Sequence, residues 1–162
     1  MQRRTWLGIA SAAMLTACGF ELRRPPELQL HSVQLKGFAP RSPLAEELKQ
    51  QLQASGSTRV VESAAQAEAI LESLIEAREQ VVVASTAAGQ VRELTLRLRF
   101  KFRLATPGGN ELIAPTELLL SNDLSYIETS ALAKEQEAEM LYRAMQSDIV
   151  SQVMRRLAAV RI

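Results

Sequence analysis

The strongest structural signal in this sequence is a regular alternation of apolar and polar residues between Val91 and Leu104. Every second residue from Leu94 to Leu104 is leucine or phenylalanine, and the residues between them include a basic row of Arg97, Arg99, Lys101 and Arg103. Successive side chains of a β-strand point to opposite sides, so this pattern predicts a strand with one apolar and one positive face. Some other layer of the protein must cover the apolar face.

A return strand follows this segment. Pro107-Gly108-Gly109-Asn110 has the composition of a turn, and residues 112–120 continue the alternation. The predicted matching face consists of Leu112, Ala114, Thr116, Leu118 and Leu120. Pro115 has no amide hydrogen to donate to a neighbouring strand, so it predicts an edge position or a bulge.

Two segments have the periodicity of amphipathic helices. Ser42-Pro43 is a typical helix start, and a helix over 43–55 places Leu44, Leu48 and Leu52 on one stripe. Residues 131–159 contain no glycine or proline, and an apolar residue recurs every four positions: Leu141, Met145, Ile149, Val153 and Leu157. The methionines of this stripe are interpreted as core residues.

The first half of the chain gives weaker signals. Residues 28–36 predict a strand and 58–61 a short extended piece, whereas 64–80 fits a helix and a strand almost equally. If 71–83 is a strand, Leu71, Ile75, Ala77, Val81 and Val83 share one face. The order of elements predicts an α+β fold, with two helices packed on one face of a small, mostly antiparallel mixed β-sheet of about four strands.

The N-terminus predicts export and lipidation. Residues 1–17 combine a basic start, a short apolar run and small residues, which is typical of a signal peptide. Leu15-Thr16-Ala17-Cys18 resembles the bacterial lipobox, in which the cysteine receives diacylglycerol and an N-linked acyl chain such as palmitate. Gly19 stands where Asp would mark inner-membrane retention, so we expect the outer membrane. Cys18 at the end of a transmembrane anchor is the alternative, and Arg3-Arg4 leaves the Sec and twin-arginine export routes open.

Removal of the signal peptide would leave residues 18–27 as a lipidated tether and 28–162 as a single domain. The full chain has a formal charge of +1. The 145-residue mature chain has 17 basic and 18 acidic residues and therefore a charge of −1. This balance argues against nucleic acid as a partner.

The composition also excludes several kinds of site. The chain has one cysteine and one histidine, too few for an internal disulfide, a Cys/His zinc site or most catalytic triads. His31 is interpreted as a half-exposed strand residue. The sequence lacks the nucleophile-elbow, dinucleotide and P-loop motifs, and the only thiol is the predicted lipidation site. We therefore expect no enzyme activity, no metal and no cofactor beyond the lipid on Cys18.

Two motifs near the ends of the mature chain point to one family. The sequence Cys18-Gly-Phe-Glu-Leu-Arg23 opens it, and Ala131-Leu-Ala-Lys-Glu-Gln-Glu137 begins its last helix. Together with the extended hairpin, they resemble the LptE family of lipopolysaccharide-assembly lipoproteins. The resemblance implies that 71–83 is a strand rather than a helix.

The resemblance also implies partners. Members of this family plug the outer-membrane β-barrel LptD in a 1:1 complex, assist its assembly and contact lipopolysaccharide on its way to the outer leaflet. They use basic side chains near a hairpin tip and near the start of the last helix. Lys134 matches the second position. The tip at 87–90 is uncharged, and Arg92 is the first basic residue beyond it.

The row of Arg97, Arg99, Lys101 and Arg103 has two interpretations. It faces the polar lumen of a barrel partner, or it is a solvated face that prevents aggregation of the sheet. The alternative function is a periplasm-facing lipoprotein that binds or shuttles lipid for another envelope transporter. An apolar cavity between sheet and helices would favour that alternative.

Overall fold

The computed structural model describes residues 28–161. The predicted signal peptide, Cys18 and the tether lie outside the described residues. Seven main elements follow one another along the chain: β1 (Ser32–Lys36), α1 (Pro43–Ala54), β2 (Arg59–Val61), β3 (Ala69–Ser85), β4 (Val91–Ala105), β5 (Glu111–Ser125) and α2 (Ala131–Ala158). Short 3₁₀ helices occupy Ala64–Gln66 and Glu128–Ser130.

All five strands form one mixed sheet in the order β2-β1-β3-β4-β5. β1 runs parallel to both of its neighbours, whereas β3, β4 and β5 are antiparallel. The predicted α+β class is confirmed, but the sheet has five strands rather than about four. The additional strand is β2, whose three residues form a strand through pairing with the distant β1, as between Val33 and Val60.

The ambiguous segment 64–80 is mostly strand, as the family resemblance implies. β3 pairs with β4 from Ile70 to Ser85, and these cross-strand hydrogen bonds override its helical propensity. A bulge at Leu74 interrupts the alternation, because Ser73 pairs with Phe102 and the next paired residue, Ile75, lies opposite Lys101.

The bulge corrects the predicted face of β3. Leu71 lies opposite Leu104 on the face that the helices cover. Beyond the bulge, Ala77 lies opposite Arg99 and shares the opposite side of the sheet with Ile75 and Val81. The single common face expected for these residues is therefore wrong, because the extra residue reverses the alternation about a third of the way along the strand.

The core lies between one face of the sheet and both helices. Leu44, Leu48 and Leu52 of α1 are buried there, as predicted. From α2 the buried residues include Met145, Ile149, Val153 and Leu157, while Leu141 is only partly buried. Phe100 stacks between Phe38 and Phe102, with ring centroids 5.9 and 5.4 Å apart. Both predicted helices therefore pack on the same side of the sheet.

Local signals fix several element boundaries. The Ser42 hydroxyl accepts the Ala45 amide at 3.1 Å, and Pro43 is the first residue of α1. Pro115 lies in the edge strand β5 and also at a bulge, since Phe102 pairs with Thr116 and Leu104 with Ile113. β5 extends five residues beyond its predicted end, to Ser125.

Candidate functional site

The face of the sheet opposite the helices carries the basic row. We call it the outer face and define it by the residues that share this side of the three long strands: Glu72, Ile75, Ala77, Glu79 and Val81 of β3, Thr95, Arg97, Arg99, Lys101 and Arg103 of β4, and Glu117, Leu119, Ser121 and Asp123 of β5. Neither helix of the described chain lies over it, because α1 and α2 bury their apolar stripes on the other side. The outer face is therefore open to a partner.

Acidic residues of β3 pair with two members of the basic row. Arg99 Nη2 lies 2.7 Å from Glu79 Oε1, and Arg103 Nε donates to Glu72 Oε2 at 2.7 Å. Lys36 of β1 also reaches Glu72, at 3.3 Å. The hydrogen bond from Arg103, supported by Lys36, lowers the pKa of Glu72 despite the opposing effect of burial.

The remaining two members of the row keep their charge available. Within the part of the chain that the structure describes, Arg97 and Lys101 form no salt bridge. Leu119, on the neighbouring strand, is 55% exposed on the same face. The outer face therefore combines free positive charge with apolar surface. Sequence reasoning identified the row but missed its acidic partners, which only the register of β3 against β4 reveals.

The structure brings Arg92 and Lys134 to the same end of the sheet. Arg92 is exposed near the start of β4, and its carbonyl accepts the Tyr126 amide at 2.8 Å. Lys134 lies in the first turn of α2, with its ammonium 3.3 Å from the Ser125 hydroxyl at the end of β5. Two residues separated by 42 positions thus flank the same end, which we call the hairpin end, next to the turn at 86–90.

Arg92 and Lys134 differ in how far their charged groups are exposed to a ligand. The Lys134 side chain is only 17% exposed and pairs with Glu137 at 2.8 Å. Arg92 instead lines a small groove of about 160 Å³ together with Ile127 and Glu128. Ile127 is 48% exposed, so the hairpin end offers an apolar contact that sequence reasoning did not single out.

A second polar cluster joins β3 to the helices. The bulge at Leu74 turns Arg78 toward α2, where its guanidinium lies 3.3 Å from Glu139 and 5.1 Å from the ring centroid of Tyr142. The Tyr142 hydroxyl donates to the Glu79 carbonyl at 2.7 Å, and burial raises its pKa. These contacts fix α2 on the sheet, and the sequence did not predict them because the bulge was not recognised.

Two further properties bear on the kind of site. Over residues 28–161, no group of three or more His, Cys, Asp or Glu side chains is arranged to hold a metal ion. None of the helices in this range is both long and apolar enough to cross a membrane.

Comparisons with known proteins are consistent with one family. Residues 30–157 match the family model described as LptE, lipopolysaccharide-assembly. The LPS-assembly lipoprotein LptE of Yersinia enterocolitica is 31% identical over 154 residues, covering 92% of this chain and 72% of the relative. The protein of the same name from Yersinia pestis is 29% identical over 152 residues, with the same coverage.

Two solved lipoprotein structures share the fold of this chain. The solution structure of an uncharacterized lipoprotein B from Nitrosomonas europaea is 33% identical, with a TM-score of 0.72 over 87% of this chain and 91% of that one. The rare lipoprotein B of Shewanella oneidensis, at 20% identity, shares the fold with a TM-score of 0.67 over 80% of this chain and 95% of that one.

Proposed function

This chain belongs to the LptE lipopolysaccharide-assembly family, and on that premise we propose that it is a non-catalytic subunit of the lipopolysaccharide transport machinery. In this role it plugs the outer-membrane barrel LptD in a 1:1 complex, assists its assembly and takes part in lipopolysaccharide transport to the outer leaflet. The family match carries the proposal, because it extends from before β1 to the last turn of α2.

The outer face of the sheet supports the plug role. Porin-type barrels have polar, water-filled interiors, so a plug needs a polar surface with charges that the barrel wall can meet. Arg97 and Lys101 supply such charges, and Leu119 adds an apolar contact beside them. We infer that the outer face meets the wall of LptD.

The hairpin end supports contact with lipopolysaccharide. Lipid A phosphates are anionic, and a basic side chain forms strong charge-assisted hydrogen bonds with phosphate. The exposed side chain of Arg92 can bind a phosphate directly. Lys134 would first have to break its salt bridge with Glu137. In our proposal Arg92 makes the stronger contact and Lys134 assists it.

The membrane anchor is proposed from the lipobox. Acylation of Cys18 would attach the protein to the periplasmic side of the outer membrane, and several acyl chains together give stable anchoring. The Gly at position 19 is consistent with this destination.

The alternative function, a lipid-shuttling lipoprotein, has less support. It requires an apolar cavity between sheet and helices that admits acyl chains. In this layer the fully buried side chains of Phe100, Phe102, Leu48 and Ile149 pack together. The space that a lipid chain would need is therefore occupied by the core.

Co-purification with LptD tests the proposal. We expect the tagged full-length chain, expressed with LptD, to recover the barrel in equal amount. Arg97→Glu with Lys101→Glu should lower the recovery about tenfold or more, since each reversal replaces attraction by repulsion across the contact. The matched control, Lys49→Glu with Arg143→Glu, reverses two exposed charges on the helices and should leave the recovery unchanged.

Two results would contradict the proposal. Equal loss of LptD from both double variants would place the contact elsewhere than the outer face. A stable monomer that carries extracted phospholipid and no barrel would favour the shuttle instead. Circular dichroism of both variants verifies that they remain folded.

A further inference from the structure

A second basic surface lies at the end of the domain opposite the hairpin end. Here the last turn of α2 meets the start of β5, and a cleft of about 530 Å³ opens between them. Its lining includes the apolar Leu112, Ile113 and Val160, two arginines, Arg156 and Arg161, and one acid, Glu111. These three charged side chains sum to +1, so the cleft combines positive charge with apolar surface.

Arg156 is the most unusual of these residues. Basic side chains near a helix C-terminus stabilise the negative end of the helix dipole, which accounts for a positive charge here. That effect does not account for Nη1 of Arg156, which is buried and has no hydrogen-bond partner among residues 28–161. A buried donor without an acceptor is energetically unfavourable. An anion in the cleft would supply the missing acceptor.

Arg161 lies in the same cleft, just beyond the end of α2, and is exposed. A guanidinium group can donate two parallel hydrogen bonds to one phosphate. Two arginines beside apolar side chains therefore match an amphiphile whose phosphate is attached to an apolar body.

Strand register shows where this cleft lies relative to the predicted anchor. Val33 of β1 pairs with Ala69, Ile70 of β3 with Ala105, and Ala105 of β4 with Glu111. The start of β1 therefore lies at the same end of the sheet as the cleft.

The length of the tether limits the distance to the membrane. Nine residues lie between Cys18 and Leu28, so the ten Cα–Cα steps that join them span at most about 35 Å when the chain is extended. If Cys18 is acylated, this end of the domain stays close to the lipid surface, within reach of its head groups.

We propose that the cleft binds the head group of an anionic phospholipid from the leaflet that holds the lipid anchor. Arg156 and Arg161 bind the phosphate, and Leu112, Ile113 and Val160 contact the glycerol and the upper acyl chains. This inference rests on the proposed acylation of Cys18, but not on the contact with LptD or with lipopolysaccharide.

Vesicle binding tests the proposal. The mature chain carries Cys18→Ala, so that the lipid anchor makes no contribution to binding. We measure its co-sedimentation with phosphatidylcholine vesicles that contain or lack phosphatidylglycerol. We expect binding only with phosphatidylglycerol, and about tenfold weaker binding after Arg156→Gln with Arg161→Gln, since the charge-assisted pairs are lost. Lys49→Gln with Arg143→Gln removes the same charge from the helix surface and should keep the binding.

Competition distinguishes the possible sources of the phosphate. Dihexanoyl-phosphatidylglycerol should displace the protein from vesicles, whereas glycerol phosphate at the same concentration should not. Equal displacement by both would indicate a site for free phosphate and overturn the proposal. Equal loss of binding in the two double variants would indicate nonspecific attraction to the vesicle charge and would overturn it as well.

A lipopolysaccharide arm separates this inference from the proposed function. We expect Arg156→Gln with Arg161→Gln to retain lipopolysaccharide binding and LptD recovery. If lipopolysaccharide binding falls as much as vesicle binding, the cleft belongs to the transported lipid, and the phospholipid assignment is wrong. If no variant recovers LptD while vesicle binding still depends on phosphatidylglycerol and on the two arginines, the plug proposal is wrong and the phospholipid proposal stands.

Discussion

The two faces of β4 differ completely although they belong to the same fifteen residues. On the inner face Leu96, Leu98, Phe100, Phe102 and Leu104 are at most 2% exposed. On the outer face Arg97 and Arg103 are exposed, and each charged pair joins neighbouring strands at the surface. Alternate residues thus belong to the core and to the surface, so under our proposal the stability of the domain and the recognition of a partner can be altered separately.

The largest expected contrast compares one residue from each face. Phe100→Ala removes a fully buried ring between two other aromatic rings and should lower the free energy of unfolding by about 3–5 kcal/mol. Arg97→Ala should change it by less than about 0.5 kcal/mol. Urea denaturation of both variants measures the difference. Similar losses in the two variants would mean that the outer face also contributes to the stability of the domain.

A smaller loss of stability is expected for a substitution next to the bulge, where the side chains of β3 switch from one face of the sheet to the other. Gly37 has φ +77°, and a Cβ atom there would lie 2.5 Å from the Ser73 carbonyl oxygen, next to the bulge. Gly37→Ala should therefore cost about 2–3 kcal/mol, from left-handed backbone strain and the added clash.

Gly89 provides the control for this prediction. Its φ is +79°, but no atom of residues 28–161 lies within 4 Å of the added Cβ, so Gly89→Ala should cost only the backbone strain of about 1–2 kcal/mol. Thermal unfolding compares the two variants. Equal costs would show that β1 and β3 can separate near the bulge without loss.

The smallest effect concerns an ion pair of the outer face and depends on pH. Arg103, with support from Lys36, lowers the pKa of Glu72 in the folded protein, so the pair stabilises fully above the unfolded pKa of the carboxyl group. This contribution disappears as the pH falls through the lowered folded pKa. Glu72→Gln should cost about 0.5–1 kcal/mol at pH 7.

The pH profile of this variant provides the check. Urea denaturation of both proteins should give stabilities that converge as the pH falls below about 4. A difference between them that is the same at pH 7 and pH 3 would refute the assignment of the stabilisation to charge.

The sequence predicted the elements whose residues carry their own periodicity. β4 and the two helices agree with prediction to within about one residue at most ends, because each buries a single continuous stripe. β2 and the end of β5 were underestimated, since Val60 and Asn122 become strand residues only through pairing with distant partners. The bulge at Leu74 left no signal in the sequence and inverted the predicted face of β3.

For the candidate sites, as for the fold, the sequence predicted single residues better than the contacts between them. The partner of Arg99 could not be identified, because Glu79 reaches it only through the register of β3 against β4. Glu137 lies three residues from Lys134 on the same predicted helix, so that pair was open to prediction. The cleft around Arg156 was also invisible in the sequence, since its two sides lie about 45 residues apart and meet only when α2 packs against β5.

The parallel pairing of β1 has a consequence for how the chain folds. β1 lies between β2 and β3, and its partners in β3 begin 36 residues later, at Ala69. The β3–β4–β5 meander can start at its two tight turns, where Ser85 pairs with Val91 and Ala105 with Glu111, and closing such short loops loses less entropy. If the chain is exported and anchored through Cys18 as proposed, β1 emerges early but finds its place in the sheet late. Its strand would then stay unpaired until the meander has formed.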